Sequence, residues 1–107
     1  MNTTLGEVAS ILRSKNAGPY LLTLDVFFDS AEAFSQVKMS GVITDSLVSR
    51  CYGIDKSDVI NLAWHDSARG LKITIVRPAV SGSPRDRDVY GCQQHAPLLG
   101  VKIPTDI

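Results

Sequence analysis

The sequence predicts an α+β fold: a mixed sheet of three to four strands, helices on one face, and a long polar C-terminal tail. Three observations predict it. From Tyr20 to Phe28 every even position is apolar, the period of a strand. Between Asp29 and Tyr52 apolar residues recur at helical spacing behind capping residues. Two further alternating runs, Asp58 to His65 and Leu71 to Arg77, flank a short turn and read as a hairpin.

At 107 residues the chain has the size of one domain, so residues 1–107 are expected to share one core. Lys plus Arg is 11 and Asp plus Glu is 11. Nucleic-acid binding calls for a surplus of cations to displace counterions, so no nucleic-acid partner is expected. A net charge of zero also permits self-association. Cys51 and Cys92 are too few for a disulfide framework or a zinc site, and Cys51 reads as a small buried hydrophobe. No basic region precedes an apolar run at the N-terminus, and the Tyr20–Phe28 stretch is too short to span a bilayer. A cytoplasmic protein without membrane contact is expected.

Taken in order, Thr4-Leu5-Gly6-Glu7 reads as a capping box, followed by Leu5, Val8, Ile11 and Leu12 at helical spacing. This predicts a helix ending in the turn Ser14-Lys15-Asn16-Ala17-Gly18-Pro19. The strand Tyr20–Phe28 follows, with one fully apolar face and a second face that includes Asp25. Asp29-Ser30 caps a helix through about Met39, with Ala33, Phe34 and Val37 inward. A second helix runs from about Thr44 to Tyr52, with Leu47, Val48 and Cys51 inward, and Gly53 closes it. In the hairpin, Ile60, Leu62 and Trp64 face one way, and Leu71, Ile73 and Ile75 line the return strand. If that return strand lies between the first two strands, the arrangement is the βαβ-β part of a ferredoxin-like sheet. A short strand at Leu99 to Ile103 is a candidate to complete it. One sheet face is left bare, to be covered by the tail or by another chain.

The tail from Arg77 to Pro97 shows neither period, and a structureless run of this length inside a small domain is expected to be functional. Asp86 and Asp88 fall on one side of an extended backbone and, with His95, are of the type that binds Mg²⁺ or Mn²⁺. The plainer reading, a solvated loop with local salt bridges, is preferred, and no metal site is expected. Gln93 and Gln94 can orient a carboxylate or amide, and His95 or Asp86 can act as general acid or base. Ser81-Gly82-Ser83 can present backbone amides to an anion, with Arg77 and Ser83 as ligands, or simply form a flexible loop. His65, beside a turn, reads as structural. Asp25 must be paired or exposed, because burying a lone carboxylate costs several kcal/mol. Lys72, Arg77 and Arg13 are its candidate partners, and Asn16 sits in the turn just before its strand.

Arg13-Ser14-Lys15-Asn16-Ala17-Gly18-Pro19, Leu22-Thr23-Leu24-Asp25, Arg77-Pro78, Gly82-Ser83, Asp86-x-Asp88 and Gly91-x-Gln93-Gln94-His95-Ala96-Pro97-Leu98 together resemble a known family. It comprises roughly hundred-residue bacterial proteins classed as a domain of unknown function. They are similar to the small ferredoxin-fold domain that accompanies acyclic-terpene-utilisation (AtuA-like) proteins, as a C-terminal segment or a neighbouring chain. The resemblance implies a ferredoxin-like fold and a larger AtuA-like catabolic partner acting on organic acids or acyl-CoA. It assigns no catalytic residue. Tyr90 stands where a histidine is expected, which weakens any two-histidine metal site.

The expected function is a small subunit whose Asn16, Asp25, Arg77, Ser83, Asp86, Asp88, Gln93 and Gln94 bind a ligand and complete the partner's site. Two alternatives stand beside it: a free-standing lyase or hydratase using His95 and Asp86, and a homo-oligomeric module binding small carboxylates.

Overall fold

The computed structural model describes residues 2–18, 20–76 and 96–104. The elements are β1 (Asn2–Thr4), α1 (Leu5–Val8), β2 (Ile11–Asn16), β3 (Leu21–Phe27), α2 (Ala31–Ser40) and α3 (Asp45–Tyr52). A 3₁₀ turn at Lys56–Asp58 leads into β4 (Val59–His65), then β5 (Gly70–Val76), α4 (Ala96–Leu99) and β6 (Lys102–Pro104). The protein is α+β, with a four-stranded sheet in the order β2-β3-β5-β4 and a two-stranded sheet of β1 and β6.

The return strand β5 does lie between β3 and β4. That placement corrects the expected mixed sheet. β3 and β4 run the same way, but β5 separates them, so every neighbouring pair is antiparallel. The fourth strand also comes from elsewhere than expected. It is β2, from the N-terminal segment, while the C-terminal strand pairs with β1 in the small sheet.

The predicted helix from Leu5 to Leu12 is the main departure. Only one turn forms, with the Ala9 amide donating to the Leu5 carbonyl, and the chain then extends from Ile11 to Asn16. The supposed capping box is also different: the Thr4 hydroxyl donates to the Glu7 carboxylate at 2.9 Å and caps no backbone amide. Tertiary context overrides the local pattern here. Without β2, one edge of β3 would leave its backbone groups unpaired beside the core. Pairing runs past the strand ends too, with Ser10 donating to Phe27 and Ala17 to Leu21. Gly18, at φ 88°, supplies the left-handed residue of the connecting turn.

Register sorts the side chains into two sets of rows. Toward the core, Leu12-Val26-Leu71-Trp64, Ser14-Leu24-Ile73-Leu62 and Asn16-Leu22-Ile75-Val59 lie across the four strands. Leu22, Leu24, Val26, Leu71, Ile73 and Ile75 are all buried. In β4 an irregularity between Val59 and Asn61 turns Ile60 outward, so Val59 takes the inner place expected for Ile60.

The helices match their sequence signals closely. The Ser30 hydroxyl accepts the Ala33 amide at 3.1 Å to start α2, and the Thr44 hydroxyl accepts the Leu47 amide at 3.2 Å to start α3. Gly41 (φ 69°) and Gly53 (φ 64°) end them. Phe34 and Val37 of α2 and Val48 of α3 are buried, and the Phe34 ring meets Phe28 and Trp64 edge-on at 6.1 and 5.8 Å. Leu5, Leu98, Val101 and Ile103 extend this core, because α4 touches α3 and β6 touches α2. No helix of the described residues is long and apolar enough to cross a membrane.

Burial raises the Tyr52 phenol above its usual 10.0, with neighbouring Cys51 adding to the effect, and burial also raises the Cys51 thiol above 9.0, with Arg50 partly opposing it. Above these values the unfolded chain loses protons that the folded chain keeps, so stability is retained at lower pH and lost as pH rises. Urea unfolding at stepped pH should show a flat unfolding free energy from pH 7 to about 9, then a decline that steepens above about 10. Tyr52→Phe should flatten the steeper part.

Candidate functional site

The second face of the sheet has a different chemistry. Its rows are Lys15-Thr23-Thr74-Asn61, Arg13-Asp25-Lys72-Ala63 and Ile11-Phe27-Gly70-His65. No helix of the described residues packs on it, since the helices and the small sheet gather over the Leu24 side. Thr23 and Asp25 are nevertheless only 5% and 8% exposed, while Arg13, Lys15 and Lys72 beside them are exposed. The inner strand gives each of them two cross-strand neighbours, most with long side chains whose stems cover the backbone.

Asp25 is the pivot of this face. Arg13 Nε lies 3.5 Å from Asp25 Oδ2, and Lys72 occupies the facing position on the other neighbouring strand. The Arg13 guanidinium also lies over the Phe27 ring, 5.4 Å from its centroid. Phe27 in turn lies against Gly70, its register partner. A Cβ at Gly70 would fall 2.9 Å from two ring carbons, so the glycine is what lets the ring rest on the strand. The Thr23 hydroxyl donates to the Lys15 carbonyl at 3.2 Å, fixing the next row.

A cavity of about 280 Å³ opens on this face, lined by Arg13, Lys15, Asp25, Phe27, His65 and Lys72 together with Ala68, Gly70 and Leu71 of the hairpin. Three cations there face one carboxylate. Lys15 and Lys72 form no ion pair among the described residues. The arrangement can attract and orient an anion against an aromatic wall.

Of the residues singled out in the sequence, Asp25 lies in this cavity, and its partner is Arg13. Asn16 does not join it: it points to the core side, in the row with Leu22, on the opposite face from Asp25. Arg77, Ser83, Asp86, Asp88, Gln93, Gln94 and His95 lie outside the described residues, as does Cys92. His65, read as merely structural, sits at the cavity. Lys15, Phe27 and Gly70 were not singled out as site residues. The odd positions of Leu21–Phe27 carried a positional signal for Phe27 alone, because residues two apart on a strand share a face; Lys15 and Gly70 lie on other strands. Cys51 packs against the core as its helical context suggested, but it is half-buried where a buried residue was expected.

A family described as "Domain of unknown function (DUF4387)" matches residues 5–102. Comparison with curated proteins and with solved structures finds no match to the chain.

Two substitutions separate the ion pair from the packing. Arg13→Gln should destabilise the fold by about 1–2 kcal/mol in urea titrations, because Asp25 keeps its burial and loses its charged partner. Gly70→Ala should cost about 1–3 kcal/mol by displacing the Phe27 ring. If Gly70→Ala left stability unchanged, the ring would have room the structure does not show.

Proposed function

We propose a function from the premise that the chain belongs to the family of domains of unknown function DUF4387. In this reading the protein is a small accessory subunit with a ferredoxin-like sheet. Its polar sheet face completes the site of a larger AtuA-like catabolic protein acting on organic acids or acyl-CoA. The observation that carries it is the cation-rich cavity around Asp25 on a face that no described helix covers. A sheet whose described helices all pack on one side, with aromatic and charged groups on the other, suits a surface that meets something else.

The chemistry of the cavity favours binding over turnover by the chain alone. Its described lining offers His65 but no serine, threonine or cysteine beside it to act as a nucleophile. Arg13, Lys15 and Lys72 suit the stabilisation of negative charge, a role in which a small subunit can complete a site whose reacting groups lie on another chain.

Co-expression with the AtuA-like protein of the same genome tests the reading. A stable complex is expected on size-exclusion chromatography, and Lys72→Glu should weaken it by about tenfold or more while Lys102→Glu, in β6, leaves it intact. Absence of a complex overturns the accessory role, and a complex indifferent to Lys72→Glu overturns the assignment of this face.

A further inference from the structure

We infer that the cavity on the polar sheet face is a binding site for the carboxylate of a small organic acid, with Arg13 as its fork and Lys72 as the second cation. The inference rests on the preceding reading in its use of this face, but it requires no partner chain.

Arg13 is held in place on two sides. Its Nε lies 3.5 Å from the Asp25 carboxylate, and its Cζ lies over the Phe27 ring, 5.4 Å from the centroid. The side chain is 58% exposed, so the guanidinium can be reached from solvent. A guanidinium paired through Nε and lying over a ring has its outer nitrogens left as a planar pair, the geometry that takes a carboxylate in two parallel hydrogen bonds. Asp25 is a positioning residue here. It sits between Arg13 and Lys72 in one row, so the two cations flank it across the sheet.

The wall of the cavity narrows the ligand class further. Phe27 and Ala68 offer apolar surface beside the cations, which suits a short hydrocarbon tail behind a carboxylate. Inorganic phosphate can also meet the fork in two hydrogen bonds, but it has no such tail to place on the apolar wall. At about 280 Å³ the cavity lies just below the roughly 300–1,000 Å³ of sites for drug-sized ligands. It therefore fits a small acid and not the nucleotide portion of coenzyme A. Among the two substrate classes of the preceding reading, this favours the free organic acid.

Calorimetric titration of the full chain at low ionic strength tests the inference with butyrate, inorganic phosphate and coenzyme A as probes. Butyrate should bind saturably, and the other two about tenfold or more weakly. Arg13→Gln and Arg13→Lys should each raise the butyrate Kd by about tenfold, because lysine keeps the charge and loses the fork. Lys72→Gln should raise it about threefold or more, and Lys102→Gln should leave it unchanged. Circular dichroism confirms that each variant is folded, and Lys72→Gln reports on the site even where an Arg13 variant is not. No saturable butyrate binding, tighter binding of phosphate or coenzyme A, or full affinity in Arg13→Lys overturns the inference. Butyrate binding without a partner complex would sink the accessory role alone, and a partner complex without butyrate binding would sink this site alone.

Discussion

A carboxylate on an inner strand constrains everything around it. β3 has a neighbour on each edge, and Asp25 at its centre keeps only 8% of its surface. Such a charge is tolerated only when a partner reaches it, and the partner must arrive along the sheet. Arg13 does so because β2 pairs with β3 in a register that sets Arg13 opposite Asp25. A slip of one residue would send Arg13 and Lys15 into the core and bring Leu12 out to solvent. The ion pair and the apolar rows therefore demand the same register, and β2 has to be a strand for either to be met.

That demand explains which parts of the fold could be read from the sequence. The strand at Leu21–Phe27, both capped helices and the hairpin were legible because local signal and tertiary need agree there. At the N-terminus they disagree. Leu5, Val8, Ile11 and Leu12 fit a helical stripe, and the inner positions of β2 after Leu12 are Ser14 and Asn16, which disguise the strand period. The alternation is visible only once Arg13 and Lys15 are recognised as the outward set. Edge strands often look like this, since half their surroundings are solvent and charged side chains protect the edge. Ile60 was misplaced for a related reason: an irregularity of one residue shifts the phase of a strand without changing its composition.

The candidate site was legible in one residue and not in the others. Asp25 stands out because a carboxylate in an apolar run needs an explanation. Arg13 and Lys72 could be named as possible partners, but the choice of Arg13 depended on a strand pairing that the predicted helix excluded. Phe27 and Gly70 carry no chemical signal of their own. Their importance is the contact between them, a ring lying on a glycine across two strands, and that contact exists only in register. Asn16 shows the converse. It is two residues from Ser14 and next to Lys15 in sequence, yet period two sends it to the opposite face from Asp25.

The charge of this face also has to be understood locally. The whole chain has a formal net charge of zero, so it exerts little long-range pull on an anion. At physiological ionic strength fields are screened over about 8 Å, which is comparable to the spacing of Arg13, Asp25 and Lys72 along one row of the sheet. Selectivity must then arise at contact, from the orientation of the Arg13 fork and the Phe27 wall, and not from a general attraction. The core side of the sheet fixes that orientation. Because Leu24, Val26, Leu71 and Ile73 are buried in rows that alternate with the polar ones, the packing that stabilises the fold also sets the distances between the charged groups.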